Sequence, residues 1–379
     1  MRSEQVLSNA RIVLEEDIIS GSVLIRDGLI ADISAGPSTT GEDFEGDYLI
    51  PGLVELHTDH LEQHYSPRPG VTWNKTAAVQ AHDAQVAASG ITTVFDCLRL
   101  GSDEDGGFKK GEMREMADAI EQAASQNRLR AEHLLHLRCE VASSDVLEHF
   151  EDFENDPNVK LISLMDHSPG QRQFQSLDQY ILYYQKKRGL SDEAFARFVE
   201  RRKSASAQYS APHRDYLAAR CAERGITVAS HDDATTEHVQ EAIAHGVKVA
   251  EFPTSIEAAR ASHEAGMSVL MGAPNIVRGQ SHSGNIAAKD LAELGVLDVL
   301  SSDYVPFSLL YAPFIIADSV ESISLPQALA FVTTNPARSV SLDDRGAIRT
   351  GLRADLVRVH REEGVPVVRS VWRQGRRVA

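Results

Sequence analysis

The segment Pro51-Gly52-Leu53-Val54-Glu55-Leu56-His57-Thr58-Asp59-His60 carries the sharpest chemical signal in the chain. An apolar run ends in His57 and Asp59, and residues two apart on a strand project from the same face. One strand end can therefore offer two ligands to one ion. Imidazole with carboxylate suits Zn²⁺, and also Mn²⁺ or Fe²⁺. Taken alone, the pair reads equally well as two polar residues where a strand meets a loop.

Four further polar residues follow short runs of the same kind. Glu140 comes after Leu137-Arg138-Cys139, and His167 after Leu164-Met165-Asp166. His231 follows Val228-Ala229-Ser230, and Asp303 follows Leu300-Ser301-Ser302. A lone Glu or His in such a place is usually a solvated loop residue. Two carboxylates and two imidazoles in series, added to His57 and Asp59, point instead to a shared site for one or two divalent ions.

That reading needs a scaffold that brings distant strand ends together. The middle of the chain repeats one pattern, a helix-like stretch closed by Gly and followed at once by an apolar run. It occurs at Ser89-Gly90-Ile91, Arg224-Gly225-Ile226, His245-Gly246-Val247, Ala265-Gly266-Met267 and Leu294-Gly295-Val296. Glycine is preferred just past a helix, where the backbone turns left-handed. Such joints imply alternating α and β elements and a parallel sheet. The strands expected are 50–56, 91–96, 134–139, 160–165, 226–230, 247–252, 267–271 and 297–301. Eight of them favour a closed (β/α)8 barrel, whose strand C-termini share one face and hold the active site.

The two ends of the chain pattern differently. Ser22-Val23-Leu24-Ile25-Arg26 with Asp27-Gly28 reads as a hairpin, and Ala354–Val359, Val367–Val371 and Gln374-Gly375 behave similarly. The α/β fold expected is a barrel over residues 50–340, with residues 1–49 and 341–379 paired into one small β domain.

Composition limits the partners. The 379 residues carry a net charge of −17, which argues against nucleic acid and anionic membranes as partners. It does not exclude an anionic substrate, because a local group of Arg and Lys can reverse the potential of one cleft. A hydrophobic content of 42% supports a large core. No signal peptide and no apolar run of about 18 residues is read. Cys97, Cys139 and Cys221 are odd in number and widely spaced, as in reduced core thiols. A cytoplasmic protein is expected, and whether it forms a homo-oligomer is left open.

Several segments resemble the amidohydrolase superfamily: Pro51–Asp59, His231-Asp232-Asp233-Ala234-Thr235, Ser302-Asp303, and Asn335-Pro336-Ala337-Arg338. The tail from Gly346 to Val357 resembles the return into that superfamily's β-sandwich, so the small domain is expected to be one. Other segments resemble its diphosphatases of phosphonate metabolism. They are His57–Glu62, Pro67–Gly70, Met165–Gln171, Ser281–Asn285 and Ser301–Pro306. The resemblance covers essentially the whole chain. It implies a small phosphorylated sugar as substrate, hydrolysed at a phosphoanhydride to give pyrophosphate. It also implies one or two divalent ions held by His57, Asp59, Glu140, His167, His231 and Asp303, zinc first, with Mn, Fe or Mg as alternatives.

Where the superfamily has His-x-His, this chain has His57-Thr58-Asp59, a harder and more negative pair that shifts preference towards Mn²⁺ or Mg²⁺. Many members bridge two metals with a carboxylated lysine. Lys160 and Lys248 fall near strand starts, so Glu140 is the bridge expected here. Asp303, like its superfamily counterpart, is expected to take the proton from the attacking water.

Positive charge for the phosphates is sought in Arg68, Arg172 and Arg278, with donors from Ser281, His282 and Ser283. His60 and His64 are further candidates for substrate contact. Lys186-Lys187-Arg188 reads as a flap or, more commonly, a solvated helix face, and Tyr183-Tyr184 as packing. Hydrolysis of a cyclic amide C–N bond is the alternative chemistry, and a non-catalytic scaffold the third reading.

Overall fold

A computed structural model describes residues 4–101, 111–172, 191–280 and 285–379. Two compact units make up the chain: Met1–Asp96 with Ala119–Leu134 and Met271–Ala379, and Cys97–Asp118 with Leu135–Leu270.

The chain ends form one sheet within the first unit. From the N-terminal side come β1 (Glu4–Val13), β2 (Ile18–Arg26), β3 (Leu29–Ala35), β4 (Glu42–Asp43) and β5 (Tyr48–Pro51). From the C-terminal side come β14 (Leu356–Glu362), β15 (Val365–Arg373) and β16 (Arg376–Arg377). The order is β16-β15-β14-β5-β1-β2-β3, with β4 beside β1. The junction is the antiparallel pairing of β5 with β14, Pro51 opposite Leu356 and Tyr48 opposite Val359. The expected Asp27-Gly28 turn is present, both residues at positive φ as a two-residue hairpin turn requires. Alternation then buries Val23 and Ile25 with Leu7, Phe44 and Trp372.

The second sheet is parallel and runs in sequence order, β6 to β13. Its strands are β6 (Leu53–Thr58), β7 (Ile91–Leu100), β8 (Glu132–Glu140), β9 (Val159–Met165), β10 (Thr227–His231), β11 (Val249–Glu251), β12 (Ser268–Gly272) and β13 (Val299–Ser301). A parallel bridge between Thr58 and Asp303 joins its last strand to its first, so the sheet nearly closes on itself.

Helices fill the connections. They are α1 (His60–Tyr65), α2 (Lys75–Ala88), α3 (Glu112–Ser125), α4 (Val146–Glu151), α5 (Asp192–Arg224) and α6 (Thr236–Ala244). Then come α7 (Ile256–Glu264), α8 (Ala273–Arg278), α9 (Ala288–Glu293), α10 (Ser308–Ser319), α11 (Leu325–Ala330) and α12 (Thr334–Ser339). Gly225 ends α5 in the left-handed conformation at φ 65°, and the other four expected joint glycines also have positive φ. Thr235 and Ser255 cap the starts of α6 and α7 with their side chains. No helix among the described residues is long and apolar enough to cross a membrane.

All eight expected barrel strands are present, with one correction at the first. Ile50 and Pro51 belong to β5 of the outer sheet, and the barrel strand begins at Leu53. The chain changes sheets at Gly52, whose N–H donates to the Asp355 carbonyl while that of Leu53 donates to Gly90. An unbroken buried apolar run has no periodicity that could mark such a switch.

Candidate metal centre

In the first unit, β6 and β13 hold His57, Asp59 and Asp303. One ligand atom from each lies within 4.8 Å of the others. Backbone bonds set this arrangement. The Asp303 N–H donates to the His57 carbonyl at 3.1 Å, and the Asp59 N–H donates to the Asp303 carbonyl at 2.9 Å. Thr58 Oγ1 donates to the same Asp303 carbonyl at 3.0 Å. Asp303 itself is at φ 55°, the left-handed region that Asp tolerates better than most residues.

Beneath this trio lies Glu55, fully buried, which the sequence reading left out. Its carboxylate accepts the His57 N–H at 2.7 Å and the Ser302 N–H at 2.6 Å, tying β6 to the end of β13. Burial raises its pKa to about 7, against the pull of those hydrogen bonds.

In the second unit, His167, His231 and Asp232 form another such trio, each with a ligand atom within 4.8 Å of the others. The two imidazole rings are 5.5 Å apart at 75°. Asp232 Oδ2 lies 3.4 Å from His231 Nε2 and 3.9 Å from His167 Nε2. Asp232 was quoted only as part of a motif; its left-handed backbone, φ 57°, is invisible in sequence.

A carboxylate stands behind each imidazole. Glu140 Oε2 is 2.6 Å from His167 Nδ1, and Glu140 Oε1 accepts the His167 N–H at 3.0 Å. Glu251 Oε2 is 3.1 Å from His231 Nδ1 and accepts from Ser163 Oγ at 2.6 Å. Burial would push the Glu140 carboxyl up, but His167, Arg202 and Arg99 hold it down at about 2. The bridging role expected of Glu140 thus has an orienting contact beside it. Both its oxygens touch His167, an orienting contact typical of residues behind a metal ligand.

His60 and His64 do not stand as separate loop contacts. His60 Nδ1 meets His82 Nδ1 at 3.3 Å, and His82 Nε2 reaches Asp96 at 2.8 Å. His133 bridges Asp96, at 2.7 Å, and Asp83, at 3.3 Å. His64 packs edge-on to His60 with ring centroids 4.7 Å apart. Burial, with His82 and His64 beside it, pushes the His60 pKa down to about 3, so its ring stays neutral.

Of the arginines, Arg68 and Arg278 are exposed. Arg172 is buried and committed to Asp233 and, at 2.6 Å, to Glu241. A guanidinium matched to two carboxylates has few donors left for the phosphate contact expected of it. Ser281, His282, Ser283, Lys186–Arg188 and Tyr183-Tyr184 lie outside the described residues.

The donor sets fit divalent ions. One imidazole with two carboxylates and two imidazoles with one carboxylate are both borderline-to-hard combinations suited to Zn²⁺, Mn²⁺ or Fe²⁺. Comparison with known proteins gives the context. The model of the Amidohydrolase family matches residues 48–378, a span that includes both trios. The chain belongs to the amidohydrolase family.

Within that family's range of sequences, alpha-D-ribose 1-methylphosphonate 5-triphosphate diphosphatase of Escherichia coli (strain K12) is 48% identical over 376 residues. The alignment covers 98% of this chain and 100% of that protein. Solved structures share the fold at much lower identity. N-acetylglucosamine-6-phosphate deacetylase from Pasteurella multocida superposes with a TM-score of 0.65 at 14% identity, covering 98% of this chain and 99% of its own. A Xaa-Pro dipeptidase superposes at 0.66 and 15% identity, covering 99% of each chain. At such identities the amidohydrolase fold is what is shared.

Proposed function

We propose that this amidohydrolase-family chain hydrolyses the 5-triphosphate of α-D-ribose 1-methylphosphonate 5-triphosphate, releasing pyrophosphate and leaving the 5-phosphate. The observation that carries the reading is the 48% identity to the Escherichia coli diphosphatase over nearly all of both chains.

The proposal gives each trio, His57-Asp59-Asp303 and His167-His231-Asp232, to divalent metal, one or two ions in all and zinc first. The six ligands expected from sequence all lie within two residues of the ends of strands of one parallel sheet, where barrel enzymes carry their chemistry. A divalent ion held there would lower the pKa of a coordinated water and offset charge on the phosphoryl oxygens. The protein's own groups do the rest. Glu140 and Glu251 each accept the Nδ1 proton of a histidine, which leaves Nε2 as the lone pair that can ligate. Asp303 is half-buried and held by three bonds to β6 and the residue after it, a fixed carboxylate able to accept the proton of the attacking water.

The test is an assay of purified protein with this triphosphate, in excess Zn²⁺, Mn²⁺, Fe²⁺ or Mg²⁺, scored for pyrophosphate against orthophosphate. Pyrophosphate should form, cease after chelation and return on adding metal. Orthophosphate as the sole product, or turnover only of cyclic amides, would overturn the reading.

A further inference from the structure

A triphosphorylated substrate needs a cationic cradle, and of the arginines singled out in sequence Arg172 is committed to Asp233 and Glu241. Within the second unit a different set comes together. Strands β7 and β8 are neighbours in the parallel sheet, and two contacts fix their register. Cys97 Sγ lies 3.5 Å from His136 Nδ1. A Cβ placed on Gly101 would lie 3.3 Å from Glu140 Cβ. Cys97 is therefore beside His136 and Gly101 beside Glu140. Alternation along both strands then sets Arg99 beside Arg138, on the same face.

Both arginines are half-buried. From α5, Arg202 brings Nη2 to 3.6 Å from Glu140 Oε1. Arg202 and Arg99 thus both act on the Glu140 carboxylate, which also holds His167, and Arg138 stands beside Arg99. Gly101, at φ 105°, keeps the neighbourhood of Glu140 open: a side chain there would come within 2.8 Å of Ser143 Cβ and 3.3 Å of Glu140 Cβ.

We propose that Arg99, Arg138 and Arg202 form an oxyanion subsite that binds a phosphoryl or phosphonate group of the substrate. Guanidinium presents planar, paired donors that match tetrahedral oxyanions, and a partly buried setting strengthens them. The subsite rests on the phosphoanhydride hydrolase reading and deepens it. It lies next to His167, so an anion held there would be presented to the ligand trio of this unit.

The experiment compares wild type with Arg99→Ala, Arg138→Ala and the double variant, with divalent metal in excess. The glutamine variants Arg99→Gln and Arg138→Gln, which keep length without charge, serve if alanine variants fail to fold. We expect KM for the triphosphate to rise about 10- to 100-fold per arginine, with metal content and thermal midpoint unchanged and kcat falling less than KM rises. Inorganic pyrophosphate and methylphosphonate, tested as inhibitors, distinguish the two ends of the substrate. Whichever loses potency in the variants names the group bound, and either loss supports the subsite. Unchanged KM and unchanged inhibition by both in the double variant would overturn it. Should wild type not turn the triphosphate over, the function reading fails by itself. Calorimetric binding of inorganic pyrophosphate and of methylphosphonate to wild type and double variant then still decides the role of the arginines.

Discussion

At Asp303 the main chain and the side chain have separable duties. The main chain closes the sheet against β6, while the carboxylate belongs to the trio with His57 and Asp59. Asp303→Asn keeps the size and should leave the backbone bonds intact. Its kcat should fall by at least about 10²-fold, the common span for loss of a general base. Metal content measured on the same preparation separates the duties. Retained metal with nearly unchanged kcat would remove Asp303 as the proton acceptor. A second expectation concerns His133, fully buried between Asp83 and Asp96. Burial alone would lower its pKa, but the two carboxylates raise it to about 9. A folded-state pKa above the ordinary value means stability that is fully present below about pH 6.5 and lost as pH rises through about 9. Its extent is on the order of 3 kcal/mol. Thermal midpoints measured from pH 6 to pH 10 should decline in wild type, and His133→Gln, less stable at pH 6, should flatten that decline. Parallel curves for the two proteins would mean that His133 is neutral in the fold.

At the scale of elements, the passage from β5 to β6 is a tight joint between the two sheets. A Cβ on Gly52 would fall 2.2 Å from Thr92 Oγ1 and 2.6 Å from Thr92 Cγ2. Thr92 lies on β7 and is itself buried, so it has little room to yield. Gly52→Val should therefore destabilise the protein by about 1–3 kcal/mol, as overpacking of a core does. Denaturant unfolding would measure it, and adding Thr92→Ala, which removes the two nearest atoms, should recover part of the loss. No recovery would place the cost in the backbone of Gly52 instead. The same joint matters chemically, because β6 delivers His57 and Asp59 only if it starts at Leu53 in this register.

For the whole molecule, the pairing of the chain ends is the feature on which the outer sheet depends. Trp372, near the C-terminus, is fully buried and stacks on Phe44 with ring centroids 5.8 Å apart. Contacts between residues so distant in sequence form only when the chain is complete. Trp372→Ala should cost about 3–5 kcal/mol, read as a lowered denaturation midpoint. Removing residues 356–379 would also strip β14 from β5 and leave an unpaired, wholly apolar edge, which favours aggregation. A truncated chain that stayed free of aggregates and active would show that the outer sheet does not depend on this pairing.

Much of this was legible in the residues. Helix-ending glycines followed by apolar runs marked five of the eight parallel strands, because the left-handed turn after a helix selects glycine whatever surrounds it. The hairpin at Asp27-Gly28 was equally local. The polar residues His57, Asp59, Glu140, His167, His231 and Asp303 were readable because each follows an apolar run. What sequence could not apportion was the task of each side chain. Glu140 and Arg172 have the right chemistry for a bridge and a phosphate clamp, yet packing gives their atoms to His167 and to Asp233 and Glu241. Glu55 and Glu251 escaped notice because a buried carboxylate is recognised by the donors it faces, and these include groups from other strands. Local backbone preference and hydrophobic patterning act over a few residues, so the sequence alone determines the elements and their polar ends. Hydrogen-bond partnership depends on register between strands far apart in the chain, so only the tertiary structure decides which polar group is a ligand and which holds it in place.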